Sequence, residues 1–369
     1  MTGYFSDTYQ EARKALLDRA SAAGGWEHEA IAHPQKGPDG QPIYVDVLRR
    51  GPADAERILT ISSGTHGAEG FCGSALQSWF VDAAPVLPEN TAVVLVHAVN
   101  PYGFAHVRRV NEDNVDLNRN FIDFSRGRPE NDAYAEIFNL LNPREWSDET
   151  PAAIEAGLKQ VQAATEPLQF MKMISGGQYD FADGMQFGGF EPAWSRRTME
   201  DVWQRYLNSA KIVVQIDIHT GLGEDGVGVL MMAANDDEPH KAITAGWLGP
   251  MMVTSRPRNS EETILGGYMN GGVEQQLDAW VIPMTLEYGT RPSIEVLIAM
   301  IGDNWLVHHG EIDSPQGRAI KERLLRAFYP DDDAWREKVM VRGEDVITKC
   351  LTGLGELNPN ETPVKETTR

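Results

Sequence analysis

Cysteine is scarce: Cys72 and Cys350 are the only two in 369 residues, and they stand 278 positions apart. That excludes a disulfide framework and a cysteine-built metal site, and two buried, reduced thiols in a cytoplasmic chain are expected. No run of 18 apolar residues occurs, so no helix is expected to span a membrane. The opening residues, MTGYFSDTYQEARK, have neither the basic nor the apolar region of a secretory leader, and none is expected there. Positive charge is also short: 33 Lys and Arg face 54 Asp and Glu, a formal charge of −21 that repels nucleic acid and anionic membrane. The G-x-S-x-G of a nucleophile elbow is missing, which disfavours a serine hydrolase. No internal repeat divides the chain, and neither does any linker rich in Pro, Gly or Ser.

What is present points to an α/β protein with a sizeable core, since 41% of the residues are hydrophobic. Residues 6–23 have helical spacing, with Ser6 or Asp7 able to cap and Gly24-Gly25 to stop the helix. IYVDVL (43–48) and RILTIS (57–62) read as neighbouring strands. AVVLVHAVN (92–100), KIVVQIDI (211–218) and GVGVLMMA (226–233) are apolar runs of the kind buried on both faces, and VIPMTLEY (281–288) is a further strand. A helical stretch begins at Ser293, and a second runs from Gly317 to Leu354. This alternation predicts a mixed, largely parallel central sheet flanked by helices, with an irregular segment inserted around 125–210. Within that segment, residues 176–189 hold five glycines among Tyr179, Phe181 and Phe187, a composition that fits a mobile surface loop or a substrate-contacting lid. Residues 1–355 are expected to form one domain, and 356–369 a frayed polar tail.

Four short blocks carry chemistry. "SSGTHGAEG" (62–70) sets His66 and Glu69 three residues apart after a strand, where both side chains converge if a helical turn begins there; nitrogen and carboxylate oxygen suit zinc. By itself, H-x-x-E is common and usually incidental. His219 in "QIDIHTGLG" ends an apolar strand, where ligand sites gather in α/β sheets, and is the candidate third ligand. The other histidines fit less well: His308 and His309 lie in a helical stretch, His28, His33 and His240 in polar surroundings, and His97 and His106 read as structural. "VRRVNEDNVDLNRNF" (107–121) clusters Arg108, Arg109, Asn118 and Arg119, which suits a bound carboxylate or, equally, surface ion pairs with Glu112, Asp113 and Asp116. Glu287 ends the strand of "PMTLEYGTRP" and is either a satisfied structural carboxylate or a general base.

Taken together, H-x-x-E, R-x-N with D-x-N-R-N-F, a strand-ending His and a strand-ending Glu occur in the order that resembles the zinc carboxypeptidase family, the carboxypeptidase A-like metallopeptidases. The chain looks closest to a poorly characterised bacterial branch of that family. D-L-N-R-N-F is the most specific piece of the match. The resemblance implies a zinc exopeptidase-like fold and one zinc ion held by His66, Glu69 and His219, with Asp116 orienting His66. It also implies Glu287 as base and acid in turn, Arg109 beside the developing oxyanion, and Asn118 and Arg119 on the substrate carboxylate. Arg109 is preferred to Arg108 because R-V-N matches the family's R-x-N. Tyr268, before Gly271-Gly272, matches a tyrosine that covers substrate in the family. Glu274 falls at a specificity position and points to a basic side chain.

The stretch between Arg119 and His219 is longer than in the digestive members, and no disulfides are available. A cytoplasmic zinc metallopeptidase cleaving the C-terminal peptide bond of a small peptide or amino-acid conjugate is therefore expected. The alternative is a zinc amidohydrolase that deacylates N-acyl amino acids, in the manner of the aspartoacylase and succinylglutamate desuccinylase groups. A third reading, a non-catalytic binding protein on the same fold, would be expected to lose a ligand or the base. No nucleic-acid or membrane partner is expected. Oligomeric state is left open by the sequence.

Overall fold

The β-branched and aliphatic runs form an eight-stranded mixed sheet in a computed structural model that describes residues 2–233, 239–249, 253–256 and 266–363. The strands are β1 (Glu27–Lys36), β2 (Pro42–Arg50), β3 (Arg57–Ser63), β4 (Thr91–His97), β5 (Ile212–Asp225), β6 (Gly228–Ala233), β7 (Val253–Arg256) and β8 (Trp280–Gly289). Their order across the sheet is β1-β2-β4-β3-β5-β8-β6-β7. The central four, β4, β3, β5 and β8, are mutually parallel, while β2 runs antiparallel to β4 and β6 antiparallel to β8. β2 and β3 are thus not neighbours as expected from sequence: β4, which arrives through a helical crossover, inserts between them. β1 escaped the sequence reading because it is an edge strand carrying Pro34, with an exposed pattern rather than an apolar run.

The helices are α1 (Tyr9–Ala23), α2 (Gly70–Ala83), α3 (Pro101–Ala105), α4 (Asp132–Leu141), α5 (Thr150–Ala164), α6 (Pro167–Ser175), α7 (Trp194–Tyr206), α8 (Pro239–Leu248), α9 (Met269–Gln276), α10 (Ser293–His309), α11 (Pro315–Phe328) and α12 (Asp333–Glu356). α1 is capped by Thr8 rather than Ser6 or Asp7: Thr8 accepts from Glu11 N, and Glu11 closes a capping box worth about 1 kcal/mol. The stretch from Gly317 to Leu354 is two helices, α11 and α12, because Pro330 follows the last turn of α11 and Asp332 caps α12. No described helix is long and apolar enough to cross a membrane.

One face of the sheet (Leu59, Ile61, Ile216, Ile218, Leu286) packs on α1, α2 and α12; the other (Val47, Ile58, Val96, Val213, Val281) packs on α7 and α9. The inserted segment has its own apolar cluster, where Tyr134, Ile137, Ile154, Leu158 and Met173 meet Ile298 and Ile301 of α10. Residues 176–189 are held down rather than loose on the surface: Gln178, Tyr179 and Phe187 are buried, and Asn114 Nδ2 donates to the carbonyls of Ala182 and Gly184. The final residues, 364–369, lie outside the described residues.

Candidate metal centre

Alternation along β5 explains how a buried strand delivers polar groups to one place. Ile212, Val214, Ile216 and Ile218 face one core; Gln215, Asp217 and His219 follow Val213 on the opposite side. β8 lies parallel to β5 with His219 in register with Glu287, so both side chains leave the carboxyl end of the sheet together. β3 ends alongside, its Ser63 in register with Ile218, and the chain then turns through His66 into a short 3-10 turn, Gly67–Glu69. Gly67 is required in that turn, because a Cβ there would lie 1.9 Å from the Gly103 carbonyl carbon. The close approach lets Gly67 N donate to Arg109 O and Ala68 N to Arg108 O, which ties the metal turn to the arginine segment.

His66, Glu69 and His219 converge, all buried, and are the one such metal-ligating group among the described residues. His66 Nδ1 lies 2.9 Å from Glu69 Oε1, His219 Nδ1 lies 3.0 Å from Glu69 Oε2, and the two Nδ1 atoms are 3.2 Å apart. A tetrahedral zinc with bonds of about 2.0–2.1 Å spaces its ligand atoms about 3.3 Å apart, so the spacing fits. The outer nitrogens fit too. His66 Nε2 is 3.1 Å from Asp116 Oδ1, and His219 Nε2 is 2.5 Å from Asp217 Oδ2. An imidazole that donates Nε2–H to a carboxylate keeps a lone pair on Nδ1. Both lone pairs then point at each other and at Glu69, an arrangement that calls for a cation.

The electrostatics agree. Burial by itself would raise the Glu69 carboxyl, but the imidazoles of His66 and His219 outweigh it and hold it well below the usual range. Burial would lower His219, yet Asp217 and Glu69 drive it well above its ordinary value, so positive charge is favoured here. Asp116 is pushed up by burial and pulled down further by Arg109, His66 and Arg119. Glu287 behaves oppositely: burial, assisted by the Glu69 carboxylate, raises it to about 7. Its Oε1 accepts a hydrogen bond from Leu222 N at 3.0 Å.

Asp217 was missed in the sequence reading. The signal was available: a carboxylate two residues before His219, on the same side of an otherwise apolar strand. Its Oδ1 accepts from Ser62 Oγ at 2.7 Å and Thr65 Oγ1 at 2.9 Å, and its Oδ2, 3.1 Å from the same Thr65 hydroxyl, is aimed at His219. Asp217→Asn should weaken zinc binding about 10–100-fold without removing a ligand, as measured by competition with a chromophoric chelator. Unchanged affinity would reduce Asp217 to a packing role.

The arginines are not surface ion pairs: Arg108 and Arg119 are buried, and Arg109 is half-buried. Arg109 Nη1 donates to Glu69 Oε1 at 2.8 Å and Nη2 to Asp116 Oδ2 at 3.3 Å, while Arg108 turns away to Asp303 and Asn114. Among the two, Arg109 is the one that reaches the metal cluster. Arg119 does not join it: Nε and Nη2 donate to Ser175 O, Nη1 to Asn118 O, and the guanidinium lies 5.3 Å over the Tyr268 ring. Asn118 Oδ1 accepts from Met269 N at the start of α9. Tyr268 is the residue before α9, next to Gly267, where a Cβ would meet the Arg119 backbone at 2.6 Å. Glu274 is half-buried in the second turn of α9, outside the metal cluster. His33, read as lying in polar surroundings, is instead buried with its ring 4.4 Å from that of Trp194.

The fold is that of the metallocarboxypeptidases, with the His-Glu-His group at the carboxyl end of the parallel strands. The chain belongs to the family described as "Protein of unknown function (DUF2817)", whose model matches residues 5–342. A crystal structure of thrombin-activatable fibrinolysis inhibitor superposes with a TM-score of 0.52 at 12% identity, over 95% of this chain and 75% of that one. A metallo-carboxypeptidase from Pseudomonas aeruginosa gives 0.43 at 13% identity, over 93% and 71% of the two chains. An aspartoacylase family protein from Mesorhizobium loti gives 0.39 at 13% identity, over 77% and 66%. Among curated proteins, no sequence matches.

Proposed function

We propose that this protein is a zinc-dependent hydrolase that cleaves the C-terminal amide bond of a small peptide or amino-acid conjugate. The observation that carries this reading is the convergence of two Nδ1 atoms and a carboxylate, each imidazole backed by an aspartate, beside a carboxylate in register on the next strand. His66, Glu69 and His219 would hold one zinc ion and leave a coordination position open, as catalytic sites do. Zinc, when bound, supplies a Lewis acid that acidifies water and polarises a carbonyl.

Glu287 is the base in this reading. Its carboxylate takes a proton from water and delivers it to the leaving nitrogen, so one residue serves as base and then acid. Arg109 brings positive charge to the carbonyl oxygen where negative charge develops. Asn118 and Arg119 receive the carboxylate of the leaving amino acid, Tyr268 covers it, and Glu274 selects a basic side chain. Residues 1–355 act as one catalytic domain. The inserted segment, packed against 114–121 through Asn114, Asp116 and Asn120, favours a short substrate over a long chain. That same packing keeps the deacylase reading alongside the peptidase reading.

Mass spectrometry of a mixed pool of short peptides and N-acyl amino acids, incubated with zinc-loaded protein, separates them. Loss of single C-terminal residues establishes a carboxypeptidase, and release of acyl groups with peptides untouched establishes the deacylase. A wholly unchanged pool would remove the hydrolase reading. Arg119→Ala should raise KM at least about tenfold for free-carboxylate substrates and spare amidated ones. Equal loss on both would leave Arg119 as the clamp on Ser175 alone.

A further inference from the structure

Lys321, on α11, is a largely buried charge that the reaction as described does not use. Its Nζ donates to the carbonyls of His106 and Val107, each at 3.1 Å, and to Asp303 Oδ1 on α10. An ammonium has three donors, and all three are spent here. Asp303 is buried, and its Oδ2 accepts from Arg108 Nε at 3.3 Å. Burial pulls the Lys321 ammonium down from its ordinary value, and Asp303 opposes that. A buried ion pair is often no more stable than apolar side chains of the same volume, so its retention needs a reason.

The backbone supplies one. Val107 has φ +49°, in the left-handed region that favours glycine and that a β-branched residue rarely enters. Such a conformation persists only where its surroundings hold it. The main chain just after Val107 carries the metal turn: Arg108 O accepts from Ala68 N at 2.8 Å, and Arg109 O from Gly67 N at 3.1 Å. The last turn of α11 reaches the other two segments of the centre. Thr220, next to His219, donates Oγ1–H to Phe328 O at 2.7 Å, and Thr290, three residues after Glu287, to Ala327 O at 2.6 Å. Leu324 and Phe328 of the same helix also share an apolar cluster with Ala68 and Val107. One helix thus touches each segment that supplies a ligand or the base.

We infer that Lys321 is a positioning residue of the metal centre. By holding Val107 left-handed, it fixes the main chain of Arg108 and Arg109 against the turn between His66 and Glu69, and so aims Arg109 at Glu69. Asp303 serves the same end twice, once through Lys321 and once through Arg108. The effect on the metal turn is independent of substrate; the effect on turnover rests on the hydrolase reading above.

Amide hydrogen exchange of the full-length, metal-free chain, read by mass spectrometry, tests the first effect. Lys321→Met should speed exchange of the Gly67 and Ala68 amides at least about tenfold and leave the amides of β5 unchanged. Lys321→Arg keeps the charge and the donors and should retain most of the protection. Lys321→Met combined with Val107→Gly should restore it, because glycine takes the left-handed conformation unaided. Exchange unchanged in Lys321→Met, or faster throughout β5 as well, overturns the positioning role. So does a double variant that leaves the turn unprotected or fails to fold. If Lys321→Met does not fold by itself, a folded double variant with a protected turn supports the role. Kinetics on zinc-loaded protein test the second effect. Lys321→Met should lower kcat about tenfold with KM unchanged, and should lower it no further in an Arg109→Ala background. Additive losses would overturn the route through Arg109. A wild type that hydrolyses nothing would remove the hydrolase reading and leave the exchange result to judge Lys321.

Discussion

Glu287→Gln protein should bind one zinc ion per chain and lose about 10³–10⁴-fold in kcat/KM. The amide keeps the size of the carboxyl and can still accept from Leu222 N, so the end of β8 has no reason to move. It cannot take a proton from water or give one to the leaving nitrogen, so both halves of the reaction suffer. Glu287 works as a base only when ionised, so wild-type kcat/KM should fall as pH drops through its pKa. Burial and the Glu69 carboxylate set that value near 7 in the protein alone. A bound cation favours the carboxylate and moves the acid limb lower. Rate profiles of wild type and variant, beside metal analysis of both, decide the matter. Near-normal turnover in the variant would strip Glu287 of its role.

His219→Ala should purify with little zinc, and added zinc should no longer raise its melting temperature. His219 supplies one of three converging ligand atoms, so the loss of affinity should exceed the about 10–100-fold cost of removing an outer partner such as Asp217. A second effect accompanies it. Asp217, buried, keeps its bonds from Ser62 and Thr65 but loses the 2.5 Å contact of Oδ2 with the imidazole. Losing that charge-assisted hydrogen bond from a buried carboxylate should cost about 1–3 kcal/mol in the metal-free protein. Metal analysis after gel filtration and thermal melts with and without zinc read the two effects separately. Full occupancy with a normal zinc-dependent shift would take His219 out of the centre.

Much of this centre was legible in the chain. His66 and Glu69 follow a strand in a glycine-bearing turn, and His219 and Glu287 each end an apolar strand, so residue type and local period marked them as candidates. The arginine pair was ambiguous in sequence. Surface ion pairs fit its neighbours as well as an anion site did, and burial of Arg108 and Arg119 settled against the surface. Arg119 shows the limit from the other side: its motif is specific, yet its guanidinium is turned to Ser175 O in the inserted segment, 56 positions away in sequence. Nothing local to D-L-N-R-N-F encodes that partner.

The sequence by itself determined the fold class, the length of the apolar strands and the chemical types available at their carboxyl ends. Those follow from periodicity and from side-chain chemistry, which act over a few residues. Only the tertiary structure decided that β4 lies between β2 and β3 and that Arg119 turns to Ser175 O. Strand order depends on crossover connections and register, and that partner on a segment far away in the chain, neither of which leaves a local pattern.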